Sequence, residues 1–413
     1  MESGQSVCKK RNVAVDMMRG MSLVGMSLMN LNPSETFSFP TFLHSEWSGL
    51  TLADIFFPCF LFIAGVSVAI NADRKIFGEH WFRDAWKRFL LLFGAGILYN
   101  HLGAIWSLFV VPEYTLHEFF LGVTTYFRPF GVLQRIGFAY FFGVVIFHWL
   151  KTERKNLMAA GMVLFLTTAG FYLYSFSEPF SQTNNISMMA DQLLQGSDHN
   201  YCQKDFDPEG MYGNITAIAS MLLGMVAGMW LKKERRLLLV YGGCACFLLG
   251  LLASIFVTIS KPLWTASYVL ILSGVFMVVL SVLDKLLAGC SSVPAYLKLF
   301  VILGAHSMMT YFVGGNVEVV INTVQIGDIT FYQSMLENVF FLSSILPCPA
   351  FCVLFCLLLL FACLFASMII FAKAERSRAC AMLEGKRGSV RSKGKIFCAM
   401  TGTVFMFQIV KGE

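Results

Sequence analysis

The chain is 413 residues long, 57% of them hydrophobic and only 14% charged, with a formal net charge of +6. A charged share about half that of ordinary globular domains excludes a protein whose surface mostly faces water. The sequence reads as an all-α, polytopic integral membrane helical bundle. The positive balance does not require nucleic acid as a partner, because nine basic residues fall in the last 41 positions, where a basic tail lies against anionic lipid.

A spanning helix needs about 20 mostly apolar residues. In chain order the candidates are 13–30, 51–72, 89–111, 131–150, 157–175, 213–231, 237–258, 266–284, 296–315 and 346–372, about 10 transmembrane helices. They form one domain over 1–372, followed by a basic cytoplasmic tail over 373–413. "IFCAMTGTVFMFQIV" near the end is apolar but too short to span, and it carries no assigned role.

Charge sets the orientation. With Lys9, Lys10 and Arg11 inside, the clusters around Arg83–Arg88, Lys151–Lys155 and Lys232–Arg236 also fall inside. Seventeen basic residues then lie on the inner side against Arg128, Lys204 and Lys261 outside. The positive-inside rule predicts both termini in the cytoplasm. The first apolar segment contains Asp16 and Arg19 and has no small-residue cleavage site after it, so it reads as a retained helix rather than a signal peptide. Of twelve cysteines only Cys202 is clearly outside, which leaves no exterior disulfide within one chain. Cys348, Cys352 and Cys356 recur at helical spacing without His or carboxylate neighbours, a packing pattern, and no metal site is expected.

Ionisable residues inside spans are costly and mark pathways or sites. Asp16 and Arg19 lie three apart at the inner end of the first span, and Asn30 closes it on the outer side. His44 follows in a loop, and Asp54 sits just inside the second span. Arg135 lies within "RPFGVLQRIG", and "DFDPEGMYGN" precedes the sixth span. Taken one at a time, these read as an interfacial ion pair, a solvated loop histidine and a buried pairing partner.

Taken jointly they resemble a family. "RNVAVDMMRGMSLVGMSLMN", "HSEWSGLTLADIFFPCFLFIAG", "GVLQRIGFAYF", "DPEG" and "KPLWTASYVL" occur in the order found in the heparan-α-glucosaminide N-acetyltransferase family and its bacterial relatives. The opening "R....D..RG" also resembles the start of the wider transmembrane acyltransferase superfamily. The resemblance implies acetyl transfer from acetyl-CoA to the amino group of a terminal glucosamine, with His44 catalytic, Asp54 its carboxylate neighbour and Asn30 the polar residue that closes the preceding helix. It also implies a homodimer. The family's long N-terminal lumenal domain has no counterpart here, as in the bacterial relatives, and this points to a bacterial inner membrane. The family's usual Asn in the segment resembling "GAHSMMTYF" is His306, a departure that bears on the acceptor.

The residue types suit that chemistry. An imidazole can take a proton from an amine or hydroxyl, or attack a thioester, and a carboxylate fixes its tautomer. Asn30 could donate to a developing oxyanion. Arg19 and Arg135, with Asp16 beside Arg19, are the candidates for the CoA phosphates, since a guanidinium fork matches phosphate oxygens. An O-acyltransferase acting on an envelope glycan, and a permease for amino sugars or other small solutes, are the alternative readings. No pair of matched internal halves supports the permease.

Overall fold

In the computed structural model, residues 12–30, 40–111, 113–288, 294–326 and 329–330 are described. They form α1 (Val13–Asn30), α2 (Phe56–Ile70), α3 (Ala72–Lys75), α4 (Trp81–Asn100), α5 (Leu102–Val110), α6 (Leu116–Thr125) and α7 (Val132–Leu150). The chain continues through α8 (Glu153–Tyr174), α9 (Ile186–Leu194), α10 (Met211–Lys232), α11 (Arg236–Ala253), α12 (Ala266–Ala288), α13 (Ala295–Ala305) and α14 (Ser307–Thr323). A two-residue antiparallel pair, β1 (Gln325–Ile326) with β2 (Ile329–Thr330), follows α14.

The protein is helical and built to lie in a membrane. Six helices are long and apolar enough to cross one, or up to eight if each of two bent pairs counts as a span. The expected ten are therefore not reached among the described residues. The first expected span is α1, whose Asp16, Arg19 and Asn30 dilute its apolar character. The third is two helices, α4 and α5, bent by 45°. The ninth is broken at His306, where α13 and α14 meet at 95°, so 296–315 is not one straight crossing. The tenth, 346–372, the tail 373–413 and the Cys348–Cys356 run lie outside the described residues.

The core forms around α10, of whose apolar window 89% is buried, whereas α8 and α11 bury only 22% and 17% of theirs. Met158, Phe165, Leu173, Leu237, Leu248 and Leu252 point outward from these two helices, as residues facing lipid tails do. With no hydrophobic drive between helices in lipid, close backbone approach supplies the packing. Gly224 illustrates this on α10: a Cβ there would stand 2.1 Å from the carbonyl oxygen of Phe62 on α2.

Contacts between connections sort them into two ends. At one, the Gly49 N–H donates to Ile259 O (2.8 Å), the Trp47 indole N–H to Phe180 O (2.9 Å), and Arg128 pairs with Asp207. At the other, Lys232 pairs with Asp73, and Lys233 and Arg235 both pair with Glu153. These are the same two sets of connections that the alternation of basic residues assigns to opposite membrane faces.

Candidate active site

His44 and Asp54 meet at the first of these ends. Asp54 is fully buried, and its Oδ1 lies 2.8 Å from Nδ1 of His44, whose side chain is half exposed. The meeting follows from local chain geometry. Gly49, at φ +108°, turns the chain in a conformation that a Cβ would strain. Thr51 then starts a 3₁₀ turn (Leu52–Asp54) that leads into α2, and the carboxylate reaches back to it, as a residue in a helix's first turn does. Oδ2 of Asp54 accepts from Thr51 N (3.2 Å), Thr51 Oγ1 (2.9 Å), Ser45 N (3.1 Å) and Ser45 Oγ (2.8 Å). Four donors on one oxygen hold the carboxylate ionised inside the protein, and Oδ1 remains for the imidazole.

A third group completes the cluster. Lys261 Nζ lies 3.3 Å from Asp54 Oδ1, 2.8 Å from His44 Nδ1 and 3.4 Å from His44 Nε2. By sequence Lys261 is one of three basic residues on the outer side, with no assigned role. Its one signal was its place at the head of "KPLWTASYVL", where a cation opens an otherwise apolar run. Burial pushes its ammonium pKa down, opposed by the charges of Asp54 and Glu209. The turn that places it is strained: Trp264, φ +52°, is fully buried in a region unfavourable to a bulky side chain. Its ring is held edge-on to Phe57 (5.2 Å) and Tyr268 (5.3 Å), and its indole N–H donates to Ser220 (3.2 Å). Tyr268 in turn donates its hydroxyl to the backbone oxygen of Asp54 (2.7 Å).

Arg135 belongs to this end and not to that of Arg19. Its guanidinium donates to Asn214 Oδ1 (2.7 Å) and Pro208 O (2.8 Å), lies 4.7 Å from the Trp264 ring centre, and is 1% exposed. Arg19 instead pairs with Asp16 (3.0 Å) and donates to Gly304 O (3.0 Å) and to the Ser67 hydroxyl. Trp264 meets Phe57 edge-on and Arg19 reaches Ser67, ten residues further along α2, about 15 Å by the rise per residue. The two arginines expected to hold the CoA phosphates are therefore at different ends, and Arg135 is enclosed by its own partners. Asn30 ends α1 exposed on the His44 side, two turns beyond Ser22, whose hydroxyl donates to Phe56 O (2.6 Å). The hydrogen bonds that tie His44 to Asp54 do not include it. His306 lies at the break between α13 and α14.

Beside the cluster, "DFDPEG" builds a wall of charge. Arg128 takes Asp207 with both Nε (2.8 Å) and Nη2 (2.6 Å) and bonds Glu209 (2.6 Å). Asp191, fully buried on α9, accepts from the backbone N–H groups of Asp207 (3.1 Å) and Met211 (3.2 Å). A Cβ at Gly210 would stand 2.1 Å from its Oδ1, which is why glycine closes the motif. Burial, with the charge of Asp207 adding to it, pushes the Asp191 carboxyl up to about 7. Asp207 and Glu209 pair with Arg128, while Asp191 is held by backbone N–H groups. Among the described residues no group of His, Cys, Asp and Glu is arranged to hold a metal.

A family model described as heparan-alpha-glucosaminide N-acetyltransferase, catalytic, matches residues 11–242. The heparan-alpha-glucosaminide N-acetyltransferases of Homo sapiens and Mus musculus are 27% and 26% identical to the chain. The alignments take in 65% and 63% of this chain and 48% and 46% of those proteins. The chain thus spans about half the length of the curated relatives it matches. His44, Asp54 and Arg135 fall within the family match, whereas Lys261 lies beyond it.

The folded protein binds a proton on Asp191 that the unfolded chain has already released between the ordinary carboxylate range and pH 7. Its contribution to stability is full below about pH 4 and lost as pH rises through 7. Purified protein should lose on the order of 5 °C in melting temperature between pH 5 and 8. Asp191→Asn should melt lower at pH 5, having lost one acceptor, yet show a flatter pH dependence. An unchanged slope in that variant would assign the titration elsewhere.

Proposed function

The chain belongs to the heparan-alpha-glucosaminide N-acetyltransferase catalytic family, and from that premise we propose that it is a membrane-bound acetyltransferase. It moves an acetyl group from acetyl-CoA to the amino group of a glucosamine-type sugar. The observation that carries the reading is a half-exposed imidazole whose Nδ1 meets a buried, four-fold hydrogen-bonded carboxylate 2.8 Å away. With Nδ1–H donated to Asp54, the lone pair of His44 is on Nε2, the nitrogen left to act on substrate. Asp54 keeps that tautomer and stabilises the imidazolium once Nε2 has taken a proton. His44 serves either as base toward the acceptor amine or as the atom that carries the acetyl group.

The donor and acceptor approach from opposite ends. The basic connections around Lys151–Lys155 and Lys232–Arg236 lie at the end away from His44, which supports a cytoplasmic face there and a sugar-binding face at His44. Acetyl-CoA enters from the cytoplasmic face, its anionic phosphates matched to cations near Arg19. Arg19 is 15% exposed and already bound to Asp16, so Asp16 orients it for that role. Arg135, enclosed at the other end, shapes the site around Trp264 instead.

His44→Ala should abolish acetylation of glucosamine, a loss of 10³-fold or more, while acetyl-CoA still binds (order of magnitude from related bases). Asp54→Asn should keep the fold and lose most of the rate. Labelled acetyl-CoA added without acceptor separates the two routes, because only the carrier route leaves label on His44. Transfer by His44→Ala at the parent rate would return the histidine to a solvated loop residue.

Arg19→Ala should weaken acetyl-CoA binding about tenfold by titration, more at low than at high salt. Unchanged affinity would make Asp16–Arg19 a structural pair. For sidedness, Cys202 is a native probe, exposed on the His44 end. A membrane-impermeant maleimide should modify it in sealed vesicles only from the non-cytoplasmic side, and modification solely from the cytoplasmic side would invert the arrangement.

A further inference from the structure

We propose that Lys261 is a catalytic residue of this reaction, its ammonium donating a hydrogen bond to the acetyl oxygen as negative charge develops there. The inference deepens the acetyltransferase reading and rests on it.

The position of Lys261 is not explained by the needs of Asp54. Asp54 is satisfied without it, since Oδ2 takes four donors and Oδ1 takes the imidazole N–H. An imidazole nitrogen makes one strong hydrogen bond, so while Nδ1 donates to Asp54 it cannot also accept from Lys261, although Nζ lies only 2.8 Å away. The lysine is thus held against the ring by charge, through Asp54 Oδ1 at 3.3 Å, rather than by a bond to the ring. Placing a lysine where it is 18% exposed is costly, and its desolvation lowers its proton affinity. Asp54 and Glu209 counter that cost, with Arg135 acting against them. A strained, buried Trp264 turn maintains the position. Cost and strain at a residue whose one ion pair, with Asp54, goes to a carboxylate already satisfied by other donors mark a functional group.

Position then decides the role. Nζ lies 3.4 Å from Nε2, the nitrogen at which the substrate reacts. A carbonyl placed for attack beside Nε2 has its oxygen within reach of an N–H on Nζ, and a positioned donor aimed at that oxygen is worth more as charge accumulates than in the ground state. Asn30, the earlier candidate for this task, lies outside the network. In the transfer, the acceptor nitrogen forms a bond to the acetyl carbon and the carbon–sulfur bond to CoA breaks. The proton leaves the amine for Nε2 and passes to the departing thiolate, giving N-acetyl sugar and free thiol. Lys261 begins and ends as an ammonium ion.

The experiment measures kcat, the KM for each substrate and labelled acetyl-CoA binding for the full-length protein in detergent, with glucosamine as acceptor. Lys261→Met should lose about 10²- to 10³-fold in kcat with acetyl-CoA affinity within about threefold of the parent. Lys261→Gln, which still donates to Asp54 but carries no charge, should lose at least tenfold, and it stands in if the methionine variant does not fold. Lys261→Arg should recover part of the lost kcat. If Lys261→Met or Lys261→Gln turns over at the parent rate while His44→Ala is inactive, the proposal fails and the role of His44 stands. If acetyl-CoA binding and thermal stability fall in parallel with rate in both uncharged variants, Lys261 is structural and the proposal also fails. Parent-rate turnover in the lysine variants and His44→Ala alike would overturn the underlying reading as well.

Discussion

A carboxylate buried without partners would not survive in a membrane bundle, and the architecture at the His44 end is arranged around giving Asp54 those partners. Thr51 and Ser45 bring two backbone N–H groups and two hydroxyls to a single oxygen. The 3₁₀ turn into α2 puts the carboxylate over the start of that helix, and Tyr268 ties the same residue's carbonyl to α12. With the charge satisfied on one side, the other oxygen can orient an imidazole and attract an ammonium without either being required for folding. A preorganised environment of this kind lets a charge act on substrate with little rearrangement.

The surrounding charges follow the same economy of pairing. Arg128 and Arg135 are each surrounded by acceptors from 207–214, and Arg135 also lies over the Trp264 ring. The wall they build with Asp191, Asp207 and Glu209 is held by backbone as much as by side chains, because Asp191 accepts two main-chain N–H groups. That wall connects α7, α9 and α10 to the loop carrying Lys261, so the cluster around Asp54 is braced from three directions. At the opposite end, the pairs of Lys232 with Asp73 and of Lys233 with Glu153 are exposed, and contribute little each in water. Their value is in marking which connections share a face.

α10 explains how so many polar groups fit beside one another. Its buried glycines let α2 approach until a Cβ would collide with a carbonyl, and the same contact is made by Gly228 against Val66 O at 2.6 Å. Close backbones leave no room for side-chain rearrangement, and the end groups inherit that rigidity. α8 and α11 present apolar residues outward, and α11 makes its own close approach to α12, where a Cβ at Gly243 would stand 2.8 Å from Gly274 O.

Some of this was legible along the chain. The apolar runs, the alternating basic connections and the His44-to-Asp54 spacing follow from lipid physics and from short-range geometry, so they determined a membrane helical protein and the contact of His44 with Asp54. Helix breaks were not legible, because His101 and His306 interrupt runs whose hydropathy continues across them. The pairing of Arg135 was not legible either: an arginine in a span reads the same whether it awaits a phosphate or is enclosed by Asn214 and Trp264. Lys261 was hidden for the same reason. It is 217 residues from His44, and only the packing of α12 and the Trp264 turn against α2 brings its ammonium to the imidazole. Periodicity and local spacing record contacts within a few turns of chain. The electrostatics of a site are decided by which distant charges the fold encloses together in a medium too poor in water to screen them.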